Sequence, residues 1–298
     1  ISYCAALSAC EKGTQWKQAF NLFEDVFHKS LAKDAVAYNA TISACEKGEQ
    51  WEMSLEILER MLAASVRPDV YTFCGAIASC GRGQQWQLAL DLFETMASES
   101  VARNAFSYSS AMTACIRGQQ WHMGLHLFYS MPKSIKAEVV NFSAAITCCE
   151  KAARWESAVQ LLDVMHKAKV RRNVIAYSAA ISACEELGKW EAACQLFSNM
   201  FSLKIEVNEI AYSSYISACE KGMQWQRALH LFEELCLMAT PSSNSCNATI
   251  SACKKGNAWQ NAIHLFCSMP ARSVAQTVVT YNATITALER GNQRGHAL

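Results

Sequence analysis

Residues 35–69 read AVAYNATISACEKGEQWEMSLEILERMLAASVRPD. Tyr38, Ile42 and Cys45 fall at i, i+4 and i+7, which is one face of an α-helix. Gly48 follows as a C-cap. A second helical pattern starts at Trp51. It is clearest one unit later, where Trp86, Ala89, Leu90, Phe93 and Met96 share a face. Helices this short are marginal alone, so the pair must bury its apolar face against a neighbour.

The neighbours are copies of the same pattern. The eight tryptophans are Trp16, Trp51, Trp86, Trp121, Trp155, Trp190, Trp225 and Trp259, spaced by 34 or 35 residues. Cys10, Cys45, Cys80, Cys115, Cys149, Cys184, Cys219 and Cys253 keep the same period. A tandem stack of identical hairpins accounts for this, because each unit buries the same face. The expected fold is all-α: a right-handed α-solenoid, a superhelix of stacked helix-turn-helix hairpins. Counting from Asp34 and Asp69 divides the chain into units 1–34, 35–69, 70–104, 105–138, 139–173, 174–208, 209–242 and 243–277, with a partial unit 278–298. The units ending at Glu138 and Ser242 are one residue short, in the linker after the second helix. Ile1 is already inside a unit, and Arg294 stands where the ninth Trp would be. The chain is therefore expected to be a piece of a longer array, with any targeting peptide outside it.

Composition narrows the function classes. The chain has 298 residues, 27 Lys+Arg against 26 Asp+Glu, and 51% hydrophobic residues. That is too apolar for a disordered polymer and too neutral for a carpet of basic contacts. No apolar run is long enough for a membrane span, so no membrane partner is expected. The 15 cysteines are odd in number and contain no C-x-x-C. The expectation is buried free thiols in a reducing compartment, with no metal site and no cofactor. His122 and His126 are four residues apart, but Met123 stands where a zinc protease needs Glu. His126, His230 and His264 share a solvated slot with Asn21, Glu56 and Asp91. The Trp series reads as helix-packing core. No phosphate loop, nucleophile triad or paired-carboxylate motif is present, so no catalytic residue is assigned.

The repeat resembles the pentatricopeptide family. The resemblance rests on Tyr38-Asn39, Ile42, Ala44, Gly48, Ala89-Leu90, Leu92-Phe93, Met96 and Pro68-Asp69, and it recurs along the whole chain. Tetratricopeptide repeats differ, with 34 residues and their Trp in the first helix. The resemblance implies single-stranded RNA binding at about one base per repeat. It implies that the fifth and last residues of each unit read the base edge, while the second residue packs on the base face.

The implied base-reading pairs are Cys4 with Asp34, Asn39 with Asp69, Cys74 with Asn104, and Ser109 with Glu138. They continue as Ser143 with Asn173, Ser178 with Asn208, Ser213 with Ser242, and Asn247 with Thr277; Asn282 has no partner in the chain. An acceptor such as Asp suits the ring N–H of uracil or guanine, and Asn can donate to the ring nitrogen of adenine or cytosine. By resemblance, Asn39/Asp69 implies uracil, Ser143/Asn173 and Ser178/Asn208 adenine, Ser109/Glu138 guanine, and Asn247/Thr277 a pyrimidine. The implied target is 5′-N-U-N-G-A-A-N-Y-3′.

The second position holds Val36, Tyr71, Phe106, Val140, Ile175, Ile210 and Val279, with Asn244 as an exception. These residues are either core or base-sandwiching wedges. Just before each inter-helix turn stand Lys12, Lys47, Arg82, Arg117, Lys151, Lys221, Lys255 and Arg290, with Glu186 breaking the series. They either cap the helix dipole or contact phosphates as a ladder, and both roles are compatible.

The expectation is a non-enzymatic array that occludes or remodels an RNA segment in organellar RNA processing, stability or editing, in a plastid or mitochondrion by family resemblance. One alternative is a protein-binding scaffold of tetratricopeptide type. The other is the RNA-targeting segment of a larger enzyme. Protein partners would use the convex face or flanking regions.

Overall fold

The computed structural model describes residues 2–28 and 35–291, which are entirely helical apart from turns and linkers. The first helices of the hairpins are α1 (Ser2–Lys12), α3 (Ala35–Lys47), α5 (Val70–Arg82), α7 (Ala105–Arg117), α9 (Val139–Lys151), α11 (Val174–Glu186), α13 (Glu209–Lys221), α15 (Ser243–Lys255) and α17 (Val278–Arg290). The second helices are α2 (Trp16–His28), α4 (Trp51–Ala63), α6 (Trp86–Ser98), α8 (Trp121–Tyr129), α10 (Trp155–Lys167), α12 (Trp190–Ser202), α14 (Trp225–Met238) and α16 (Trp259–Ser268). A 3₁₀ turn, Pro270–Arg272, follows α16. The chain falls into two compact units, residues 1–148 and 149–298. In the first, α1, α3, α5 and α7 stack side by side; in the second, α11, α13, α15 and α17 do the same. This is an α-solenoid of stacked hairpins. No described helix is long and apolar enough to cross a membrane.

Each first helix packs on several sides, and its small residues make that possible. Ala37, Ala40 and Ala44 are buried alongside Tyr38, Ile42 and Cys45. Tyr38 reaches back to the preceding hairpin, where its ring meets Phe23 edge-on at 5.0 Å. Phe93–Tyr108, Phe128–Phe142, Phe197–Tyr212 and Phe266–Tyr281 repeat this edge-to-face contact, so an aromatic pair staples five of the hairpins to the next. Ala89, Phe93 and Met96 of the second helix are buried as their spacing requires. Leu90 and Trp86 are only half-buried.

The tryptophans therefore differ from a sealed core. Six of the eight lie across the turn glycine of the following repeat; the units after Trp121 and Trp155 carry Ala152 and Leu187 there. A Cβ placed on Gly83 would lie 2.2 Å from Cδ1 of Trp51, and one on Gly256 would lie 2.0 Å from Cδ1 of Trp225. Gly48, Gly118, Gly222 and Gly291 meet Trp16, Trp86, Trp190 and Trp259 in the same way. The glycine is thus required by the indole. Its backbone is ordinary, with φ −74° at Gly83; the left-handed residue is the next one, Gln84, at φ 59°. Gly83→Ala should therefore destabilise the protein by about 1–3 kcal/mol, since a rigid indole must move. Urea melts can compare it with Gly13→Ala, where no tryptophan is near. Equal, small effects at both positions would exclude the indole as the cause.

Candidate RNA-binding groove

The last residue of each unit has a local task that explains much of its chemistry. Asp69, Asn104, Asn173, Asn208, Ser242 and Thr277 each cap the next first helix, accepting the backbone N–H of Thr72, Ser107, Ala176, Ala211, Ser245 and Thr280 respectively. Asp, Asn, Ser and Thr are the residues whose side-chain oxygen reaches an otherwise unpaired helix N–H. Glu138 is one methylene too long for this. There the backbone N–H of Glu138 donates to Oδ1 of Asn141 (3.0 Å), and Asn141 donates to the Ala105 carbonyl (2.7 Å). The restricted chemistry of the last position is thus a helix-cap requirement first.

Capping also places this side chain beside the fifth residue of its own unit. Asn39 Nδ2 donates to both carboxylate oxygens of Asp69, at 3.3 and 3.2 Å. Ser178 Oγ donates to Oδ1 of Asn208 at 3.0 Å, and Asn247 Nδ2 donates to Oγ1 of Thr277 at 3.4 Å. These three pairs are therefore joined directly. Cys74, Ser109 and Ser143 are almost fully covered, with 2%, 4% and 8% exposed, and Ser178 retains 6%. They can offer a ligand only a narrow edge. Burial pushes the Cys74 thiol up to about 12, so it is a neutral, weak partner. Ser213 and Asn247 are half-buried, and Asn282 is exposed. The Cys4 side chain and Asp34 lie outside the described residues.

The second-position residues are not core. Val36, Tyr71, Phe106, Val140, Ile175, Ile210 and Val279 are each 53–73% exposed. Seven apolar side chains at the same repeat position project into solvent, although smaller neighbours beside them are buried. Tyr71 and Phe106 face each other with ring centroids 6.5 Å apart and planes tilted by 47°.

In the unit 1–148 these rows converge. A groove of about 650 Å³ on the face of α1, α3, α5, α7 and α9 is lined by Val36, Tyr71, Phe106 and Val140, by Asn39, Cys74 and Ser109, and by Arg82 and Arg117. Apolar wedges, small polar groups and cations thus share one wall. In the unit 149–298, Ile175, Ile210 and Val279 are exposed in the equivalent rows.

The basic series has a structural role that spacing alone did not show. Lys47 Nζ pairs with Glu11 at 3.1 Å, Arg82 with Glu46 at 3.3 Å, Lys221 with Glu186 at 3.4 Å, and Lys255 with Glu220 at 3.1 Å. In each case the acid belongs to the preceding hairpin. Ser43 and Ser251 add hydroxyl donors to Glu11 and Glu220, at 2.9 and 2.7 Å. Lys151 pairs with its neighbour Glu150 at 3.2 Å. Lys12, Arg117 and Arg290 are exposed and form no ion pair among the described residues. Half of the eight cations in this stripe are therefore compensated by repeat-to-repeat ion pairs, each worth about 0–1 kcal/mol at such exposures. His122, His126, His230 and His264 are exposed, and no cluster of metal-binding side chains occurs among the described residues.

Stacked two-helix hairpins with capped first helices and a lined groove define a helical-repeat protein. A model of the pentacotripeptide-repeat region of PRORP matches residues 71–245, and a model of the pentatricopeptide repeat domain matches residues 21–83. The chain belongs to the pentatricopeptide repeat family. Among solved structures, pentatricopeptide repeat protein PPR10 from maize superposes with a TM-score of 0.62 at 20% identity, covering 98% of this chain and 42% of that one. The PPR domain of protein-only RNase P 1 from Arabidopsis thaliana, solved in complex with tRNA, gives a TM-score of 0.51 at 13% identity over 62% of this chain and 95% of that one. Nuclear proteinaceous RNase P 2 from A. thaliana gives 0.53 at 12% identity over 64% and 45%. At these identities the likeness is one of fold. The chain spans less than half the length of the maize protein. No curated protein matches it.

Proposed function

We propose that the chain binds single-stranded RNA in a sequence-selective way, one base per repeat, and that it acts without catalysing a reaction. The observation that carries this reading is the groove of the unit 1–148. Exposed Val36, Tyr71, Phe106 and Val140 offer stacking surface, and Asn39, Cys74 and Ser109 stand beside them. An apolar stripe of this kind is costly to leave in water unless something flat covers it. Asn39/Asp69 supplies a donor and an acceptor together, which suits a base edge carrying both. Repeats read in chain order give 5′-N-U-N-G-A-A-N-Y-3′. The solved relative held with tRNA makes RNA the favoured polymer. The biological outcome proposed is occlusion or remodelling of an RNA segment in organellar RNA processing, stability or editing, in a plastid or mitochondrion. The chain acts there alone or as the RNA-targeting part of a larger protein.

The test is filter binding of the full chain to an RNA carrying U-x-x-A-A against a scrambled RNA of equal composition. The expected result is tighter binding to the first by at least about tenfold, or 1.4 kcal/mol. Equal binding would contradict base selectivity, and no binding to either would contradict RNA as the ligand. Salt adds an independent reading. Eight free phosphate contacts would give a log–log slope of about −5 to −6. With Lys47, Arg82, Lys221 and Lys255 engaged by glutamates, the slope should fall to about −2 to −3.

A further inference from the structure

Two fifth-position asparagines are held from the following repeat by a threonine. Thr72 Oγ1 donates to Asn39 Oδ1 at 2.6 Å, in preference to Asp69 Oδ1 at 2.9 Å, and Thr280 Oγ1 donates to Asn247 Oδ1 at 2.6 Å, in preference to Thr277 Oγ1 at 3.0 Å. Both threonines are the third residue of the next unit and both are fully buried. At that position the other repeats carry Ala37, Ser107, Asn141, Ala176, Ala211 and Ser245. All six follow a unit whose fifth residue is Cys or Ser, so threonine occurs only after asparagine.

The geometry has one chemical consequence. An asparagine amide can present either its oxygen or its nitrogen to a ligand, and the two faces prefer opposite base edges. In Asn39 the oxygen is occupied by Thr72, and Nδ2 lies against Asp69. Among the described residues Nδ2 has no acceptor other than the two Asp69 oxygens, at the long distances of 3.2 and 3.3 Å. The side chain is thereby held as a donor beside a carboxylate acceptor. Uracil offers an acceptor, a carbonyl oxygen, next to its N3–H donor. Cytosine offers an amino donor next to its N3 acceptor, the reverse order.

We propose that Thr72 and Thr280 are positioning residues that lock the Asn39 and Asn247 amides as donors, and that Thr72 sets uracil over cytosine at the second repeat. The proposal rests on the reading that Asn39 and Asp69 meet a base. Thr72 also completes a capping box, since its hydroxyl accepts the Asp69 N–H at 3.1 Å. Ser107 completes the same box at Asn104, where the fifth residue Cys74 has no amide to orient, and so serves as an internal control.

The experiment measures binding of the full chain to four RNAs that differ only in the nucleotide opposite the second repeat. Urea melts report stability in parallel. Thr72→Val should reduce the uracil-over-cytosine ratio about fivefold, the worth of one hydrogen bond. Thr72→Ser, which keeps the hydroxyl, should restore the wild-type ratio. Ser107→Ala should lower stability comparably without moving the ratio. If Thr72→Val proves too unstable to assay, Thr280→Val supplies the same test as a fall in the uracil-over-cytosine ratio opposite the eighth repeat. An unchanged ratio in Thr72→Val, in a protein where Asn39→Ser does change it, would overturn the positioning role while leaving the base contact intact. An unchanged ratio in both variants would overturn the base contact, and the positioning role with it.

Discussion

Raising the pH from 8 to 10 under reducing conditions should destabilise the array to the point of unfolding. Burial pushes Cys45, Cys80, Cys115, Cys149, Cys246 and Cys253 up to about 11, and Cys74, Cys184 and Cys219 up to about 12. In the unfolded chain a thiol ionises near 8.5. The folded values are raised, so the stability these thiols contribute is complete below about pH 8.5 and drains as pH climbs toward 11. By pH 10 each costs on the order of 1–2 kcal/mol. Even half of that, summed over the nine, reaches the 5–15 kcal/mol that holds a typical domain together. Circular dichroism against pH would show the loss of helix, and the thiolate absorbance of the nine buried cysteines should appear with unfolding, as a step above the signal of the exposed Cys267. Cys80→Ala combined with Cys115→Ala should weaken the protein at pH 7 yet flatten its fall between pH 8 and 10. A melting temperature constant across that range would mean the thiols ionise freely in the folded state.

Removing the two exposed second-position aromatics, Tyr71 and Phe106, should cripple RNA binding and leave the fold intact. Tyr71 is 73% exposed and Phe106 53%, so neither supports the core. Their 6.5 Å centroid separation is close to twice the ~3.4 Å stacking distance of nucleic acid bases, room for one base between them once the rings turn through the 47° that separates their planes. Stacking is worth about 1–3 kcal/mol per aromatic, so Tyr71→Ala with Phe106→Ala should weaken binding by about 30-fold to 10⁴-fold. Stability should change by no more than about 0.5 kcal/mol per site. Base preference at the neighbouring positions should persist, because stacking is tolerant of base identity. Affinity within threefold of the parent protein would remove the wedges from the binding surface. A large loss of stability would instead return them to the core.

The fold was legible because the repeat copies its packing problem. Tyr38, Ile42 and Cys45 are spaced for one buried face and all three are buried. Seven further copies of the pattern leave no freedom for another architecture. What spacing could not show were contacts between units, since nothing in one repeat names its partner in the next. The spacing reads Trp51 as helix-packing core, and its packing partner is Gly83, thirty-two residues away. The run Lys47, Arg82, Lys221 and Lys255 reads as a bare stripe of charge, but each cation meets a glutamate of the preceding hairpin. The acidic partners Glu11, Glu46 and Glu220 stand one residue before their own repeat's cation, a signal visible in the sequence once cross-repeat pairing is considered. The last-position residues carried two constraints at once. Asp69 must cap α5 and also meets Asn39, so its identity follows from helix chemistry before any ligand is invoked.

The most direct test is selection of bound sequences from a random single-stranded RNA pool, using the full chain at moderate salt. The account predicts enrichment of a uridine followed, after one unselected position and one that favours guanosine, by two adenosines. It also predicts that Asn39→Ser moves only the uridine toward guanosine. A pool returned without enrichment, or enriched for structured hairpins lacking that pattern, would contradict base-by-base reading by Asn39, Ser143 and Ser178.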